Sequence, residues 1–138
     1  MGFKLGREKR GIKNSKNVRK FKEGESAGDF KGAPILMQTQ EHGTLAEANM
    51  DGTISVDPKV NLKSDFGKRL LKHEKQHLDD IESGKAAYND SVVMWEGNMY
   101  MRKEINGEKV VDGPNGRWPE GHPNHPWEQS AIAAEKRK

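Results

Sequence analysis

His73-Glu74-Lys75-Gln76-His77 reads H-E-x-x-H inside a stretch patterned as a helix. No other feature constrains the chain as strongly. On a helix, residues four apart share a face, so both imidazoles can reach one Zn²⁺. Glu74 then stands where it can take a proton from a water polarised by that metal. Ser64 or Asp65 fits the N-cap and Gly84 the C-terminal stop. Stepping about 100° per residue between them puts Phe66, Leu70, Leu71, Leu78 and Ile81 on one arc. His73, Glu74 and His77 fall inside that arc, while Lys68, Lys72, Lys75, Gln76 and Asp79 fill the opposite side. Three polar side chains thus point toward a core, where unpaired polar groups are costly. A metal satisfies the imidazole lone pairs and accounts for the placement.

Two histidines do not complete a catalytic zinc site, which takes three protein ligands and leaves one position open. The chain has no cysteine, so the third ligand is His, Asp or Glu. Downstream candidates are His122, His125, Glu128 and Glu135. Glu128 fits best: it follows Pro126-Trp127, and Pro126 suits a first helical turn ahead of the alanine-rich, charged run Ala131 to Lys136. His125 is the alternative, with His122 behind it. Asp80 borders His73 on the first helix and reads as a hydrogen-bond partner or a solvent carboxylate. Tyr88 or Tyr100 could supply an oxyanion donor.

Length and charge divide the 138 residues. Residues 1–31 hold ten Lys/Arg against four Asp/Glu, a net +6, and the rest hold 14 against 17, a net −3. The first segment is Gly- and Lys-rich without clean periodicity, so residues 1–32 read as an extended basic arm and 33–138 as one small domain. Such an arm suits an acidic partner surface. Few aromatics and an acidic body argue against nucleic acid. No apolar run is long enough to span a membrane, and no apolar segment follows the basic start, so no secretion signal is expected. Hydrophobic residues make up 32%, so the core is small and a bound metal would help hold it together.

Between arm and helix, Ala33 to Gln38 reads as a buried strand. Leu45 to Ala48 and Thr53 to Val56 flank an Asp51-Gly52 turn as a hairpin. After the helix, Ala87 to Asp90 reads as a turn. Val92 to Trp95 and Met99 to Met101 form a second hairpin, and Asn106-Gly107 turns a third. Asp112 to Pro126 reads as an irregular loop, either a lid or a linker.

Taken together, Ala46-Glu47-Ala48-Asn49-Met50-Asp51-Gly52-Thr53-Ile54, His73-Glu74-x-x-His77, Gly84, Tyr88, Trp95-x-Gly97 and Pro126-Trp127-Glu128-x-x-Ala131 resemble the small zincin-like proteins encoded by tailed bacteriophages. The resemblance covers about residues 33 to 135, and its specific elements are HExxH and PWE. Many such relatives carry a second acidic residue two places after the Glu of PWE, where this chain has Ser130. The resemblance implies an α+β fold: a minimal zincin-like domain with an active-site helix, short antiparallel hairpins and a C-terminal helix. It implies a zinc metallopeptidase with His73, His77 and Glu128 as ligands and Glu74 as base, acting on a protein or peptide substrate. Zincins set an edge strand beside the active-site helix to pair with an extended substrate, and Thr53 to Val56 is the candidate here. Location in a virion or in the bacterial host cytoplasm follows. So does a competing function, a virion structural protein on a zincin scaffold, anchored to virion proteins or to further copies of itself through residues 1–31.

Overall fold

Nine short strands and two helices among the described residues build this α+β chain. The computed structural model describes residues 22–41, 44–114 and 116–137. Strands β1 (Ser26–Phe30), β2 (Ala33–Met37), β3 (Ala46–Ala48) and β4 (Ile54–Val56) precede helix α1 (Asp65–Glu82). Strands β5 (Ala86–Tyr88), β6 (Val92–Trp95), β7 (Asn98–Ile105), β8 (Glu108–Gly113) and β9 (Gly116–Pro119) follow, and helix α2 (Pro126–Glu135) comes last.

The first sheet has the order β1-β2-β4-β3, with β2 and β4 parallel and the outer pairs antiparallel. Its register aligns Ile35, Ile54 and Ala48 in one row and Met37, Val56 and Ala46 in another. These six side chains form one apolar face, which joins Leu70, Leu71 and Leu78 of α1 in a single buried cluster. The intervening row, Leu36, Ser55 and Glu47, belongs to the opposite face. The second sheet is an antiparallel meander, β5 to β9 in sequence order. Ala86, Val93, Trp95, Tyr100 and Val111 bury its inner face against Trp127 of α2. The two helices pack on each other. No helix among the described residues is long and apolar enough to cross a membrane.

Local chemistry sets the ends of α1. Ser64 is the N-cap, its hydroxyl accepting the Gly67 N–H at 3.0 Å. Position 67 must be glycine, because a Cβ there would lie 2.8 Å from the Leu62 Cα and closer still to the Asn61 carbonyl. Gly84, at φ +85°, ends the helix.

Four expectations are revised. Ile54–Val56 is a central strand rather than the edge, and β3 is the edge. All three β4 side chains are buried, as a strand covered on both faces requires, whereas β3 alternates. Ala86–Tyr88 is a strand and not a turn, held by its register with β6. Within the expected loop after Asp112, β9 pairs with β8, with Arg117 bonded to Asp112 across the pair. Ser26–Phe30, placed by sequence in the basic arm, is sheet: β1 pairs with β2, and Ala27 and Phe30 pack on the core. The arm's residues 1–21 lie outside the described residues.

Candidate metal centre

Helix α1 carries His73, Glu74 and His77 on its buried face, at 0%, 0% and 1% exposure. The two imidazoles sit 4.8 Å apart, nearly perpendicular. The potential ligand atoms of His73, Glu74 and His77 all lie within 4.8 Å of one another, so this group can hold a metal ion.

Helix α2 delivers a second carboxylate to the same place. Trp127 at its start is fully buried. It stacks on His125 at 4.6 Å and meets Tyr100 edge-on at 4.9 Å, which fixes the helix N-terminus. The next residue, Glu128, turns into α1. Its Oε1 lies 2.8 Å from His73 Nε2 and its Oε2 3.3 Å from His77 Nε2. The structure thus brings Glu128 into contact with both imidazoles. The group of described residues with metal-sized spacing contains Glu74 rather than Glu128.

Sequence reasoning weighed Glu135 only as a ligand. Its Oε2 lies 2.8 Å from His73 Nδ1, on the other side of the ring from Glu128. Seven residues separate Glu128 and Glu135, two helical turns, so both reach His73 from one face of α2. That spacing was the available signal. With Nδ1–H donating to Glu135, Nε2 keeps its lone pair and faces Glu128 Oε1 at 2.8 Å. Two lone pairs that close need a proton or a cation between them.

The electrostatics follow from burial. Glu74 is pushed up to about 8, chiefly by loss of solvent, with His77 opposing and Glu128, Glu47 and Glu135 adding. Neither Glu74 oxygen has a hydrogen-bond partner among the described residues. Burial likewise raises Glu128 to about 7, against the hydrogen bond and charge of His73.

The remaining candidates lie elsewhere. His125 donates from Nε2 to the Pro119 carbonyl at 2.9 Å, and burial lowers its pKa. His122 stacks on Trp118 at 4.9 Å, and its Nδ1 accepts the Asn124 N–H. Asp80 does not bond His73; Gln76 and Ser130 donate to it, each at 2.9 Å. Ser130, standing where relatives of the resembled family carry an acid, thus ties α2 to α1. Tyr100 packs with Trp127 in the second cluster, while the Tyr88 hydroxyl donates to the Ala48 carbonyl of the edge strand at 2.9 Å. No family model, curated protein or solved structure matches the chain.

Proposed function

We propose that the chain is a zinc-dependent peptidase of the HExxH class, with His73, His77 and Glu128 as ligands and Glu74 as general base. The observation that carries this reading is Glu74: a fully buried carboxyl with no hydrogen-bond partner among the described residues, within the His73-Glu74-His77 group that can hold a metal ion and close to Glu128, which contacts both imidazoles. A purely structural core gains nothing from such a group and bears its desolvation cost. The donor set suits zinc. Ligand bonds of about 2.0–2.2 Å in a tetrahedron put neighbouring donor atoms roughly 3.3–3.5 Å apart. His77 Nε2 and Glu128 Oε2 stand at 3.3 Å, and His73 Nε2 and Glu128 Oε1, now hydrogen-bonded, need to separate by about 0.5 Å from 2.8 Å.

When bound, zinc supplies Lewis-acid polarisation of a carbonyl and lowers the pKa of water toward neutrality. The chain's residues do the rest. Glu135 holds His73 in the tautomer that turns a lone pair inward. Glu74 accepts a proton from the attacking water and returns it to the leaving amine.

One observation favours a second reading, a structural protein on the same scaffold, in a phage virion as the resemblance implies. His73, Glu74, His77 and Glu128 are all at or below 1% exposure, as in a closed site that ties two helices together. Metal analysis with a labelled casein digest separates the readings. The peptidase reading expects about one zinc per chain, lost in His73→Ala/His77→Ala. It also expects hydrolysis that vanishes in Glu74→Gln while the zinc stays. Zinc retained without hydrolysis selects the structural reading, and full metal occupancy in the double variant removes both.

A further inference from the structure

We propose that the outer side of α1 carries a binding site for an organic phosphate monoester. Lys31, Lys75 and Arg137 hold the phosphate, and the apolar body lies against Met50 and Ile81. The site is separate from the metal centre, since none of His73, Glu74, His77 and Glu128 lines either of its two cavities. It goes beyond the peptidase reading and does not rest on it.

The phosphate end is a cavity of about 80 Å³ where the turn after β1, the outer face of α1 and the end of α2 meet. Lys31, Lys72, Lys75 and Arg137 line it against one carboxylate, Asp79, so four positive charges face one negative and leave an excess of three. The partners of these cations leave that excess available. Lys31 Nζ lies over the Phe30 ring at 5.4 Å, Lys72 donates to the Arg137 carbonyl, and Arg137 donates to the Gln76 side-chain oxygen at 3.0 Å. Three of the four cations thus meet neutral groups. Lys75 pairs with Asp79, whose side chain is 48% exposed, so that pair is well solvated and weak. An Arg fork beside Lys point charges is the combination that recognises phosphate. The excess of three favours a dianion over a carboxylate, which carries a single charge.

A second, independent observation says what carries the phosphate. The small cavity is below the roughly 300–1,000 Å³ of an organic ligand's pocket. It shares Lys31 and Lys75 with a neighbouring cavity of about 510 Å³, which is within that range. Ala33, Pro34, Met50, Leu78 and Ile81 give this larger space an apolar lining. Among the described residues, Met50 at 47% is the one large hydrophobic side chain outside the second sheet that is so exposed. Exposed apolar surface of this kind marks a site that something covers. Asp51 and Glu82 also line the larger cavity, and they direct an anionic head to the cationic end. Inorganic phosphate fills only the first cavity and a neutral hydrocarbon only the second. A phosphate joined to an apolar group fills both.

The test is an NMR titration of the full isotope-labelled chain at constant ionic strength and about pH 8, where a phosphate monoester is a dianion. The probes are hexyl phosphate, inorganic phosphate and hexanoate. Hexyl phosphate should bind saturably and shift the amides of Lys31, Lys75 and Met50. It should bind at least about tenfold tighter than inorganic phosphate, because the larger cavity buries its methylenes. It should also bind at least about fivefold tighter than hexanoate, because its head carries the second charge. Lys31→Gln and Arg137→Gln, both at exposed positions, should each weaken the two phosphates by roughly threefold. Met50→Ser should reduce the advantage of hexyl phosphate and leave inorganic phosphate unchanged. Shifts that never saturate, hexanoate binding as tightly as hexyl phosphate, or affinity untouched by both charge substitutions overturns the proposal. Shifts centred on His73 and His77 also overturn it, by placing the phosphate at the metal centre. Inorganic phosphate binding as tightly as hexyl phosphate overturns the organic ligand.

Discussion

Replacing Glu74 by glutamine tests the buried base without any substrate. In the metal-free chain Glu74 is 0% exposed, and burial moves its pKa from 4.5 to about 8. An acid whose pKa rises on folding holds its proton more tightly in the native state. Its stabilising contribution is fully present below 4.5 and is lost as pH rises through about 8. Each pH unit in that window removes about 1.4 kcal/mol. The native state has then lost under about 1 kcal/mol near pH 5 and about 3 kcal/mol near pH 7. Glutamine does not titrate, so Glu74→Gln should stabilise the metal-free chain increasingly as pH rises. The amide brings its own unpaired-group cost, but that cost is the same at both pH values and cancels. The difference between variant and wild type should therefore widen by roughly 2–3 kcal/mol from about pH 5 to pH 7. Urea unfolding after chelation, at four pH values, measures it. Saturating zinc should shrink the widening, because a nearby divalent cation favours the ionised carboxylate. A variant-minus-wild-type difference that stays flat across this range in metal-free protein would refute the reasoning.

Helix α1 and its histidines were legible because 18 residues give five turns of periodicity and both ends carry cap chemistry. The meeting of Glu128 with His73 and His77 was legible because Pro126 and Trp127 mark a helix start. Glu135 was hidden in an alanine-rich helix whose buried face is set by packing on α1 rather than by its own hydrophobic pattern. The place of β4 was hidden too. Three residues cannot show whether a strand is covered on one face or two, and only the parallel pairing with β2 decides it. The outer row of this sheet depends on that same pairing. Leu36, Ser55 and Glu47 are distant in sequence and become neighbours only once β2, β4 and β3 are in register.

Three further outcomes follow from the contacts. Glu135→Gln, which weakens the acceptor on His73 Nδ1 at 2.8 Å, should reduce zinc affinity by about 10- to 100-fold in a chelator competition; unchanged affinity would make Glu135 a packing residue. Gly67→Ala should lower stability by roughly 1–3 kcal/mol in urea unfolding, because the new Cβ meets the Asn61–Leu62 backbone. The last concerns what β1 contributes to the sheet. Cutting before Lys22 leaves the Gly24 N–H to Met37 carbonyl bond at 2.6 Å, the Met37 N–H to Glu25 carbonyl bond at 2.9 Å and all of β1 in place. Cutting after Lys31 removes those bonds, the β1–β2 pairing and the partly buried Ala27 and Phe30. Loss of partial Phe burial and several strand hydrogen bonds should cost roughly 2–4 kcal/mol. A chain starting at residue 32 should therefore melt well below one starting at residue 22, by circular dichroism. Equal melting of the two truncations would return Ser26–Phe30 to the arm. If they differ, any test of the basic segment in assembly must cut before Lys22, since a longer deletion confounds lost assembly with a damaged sheet.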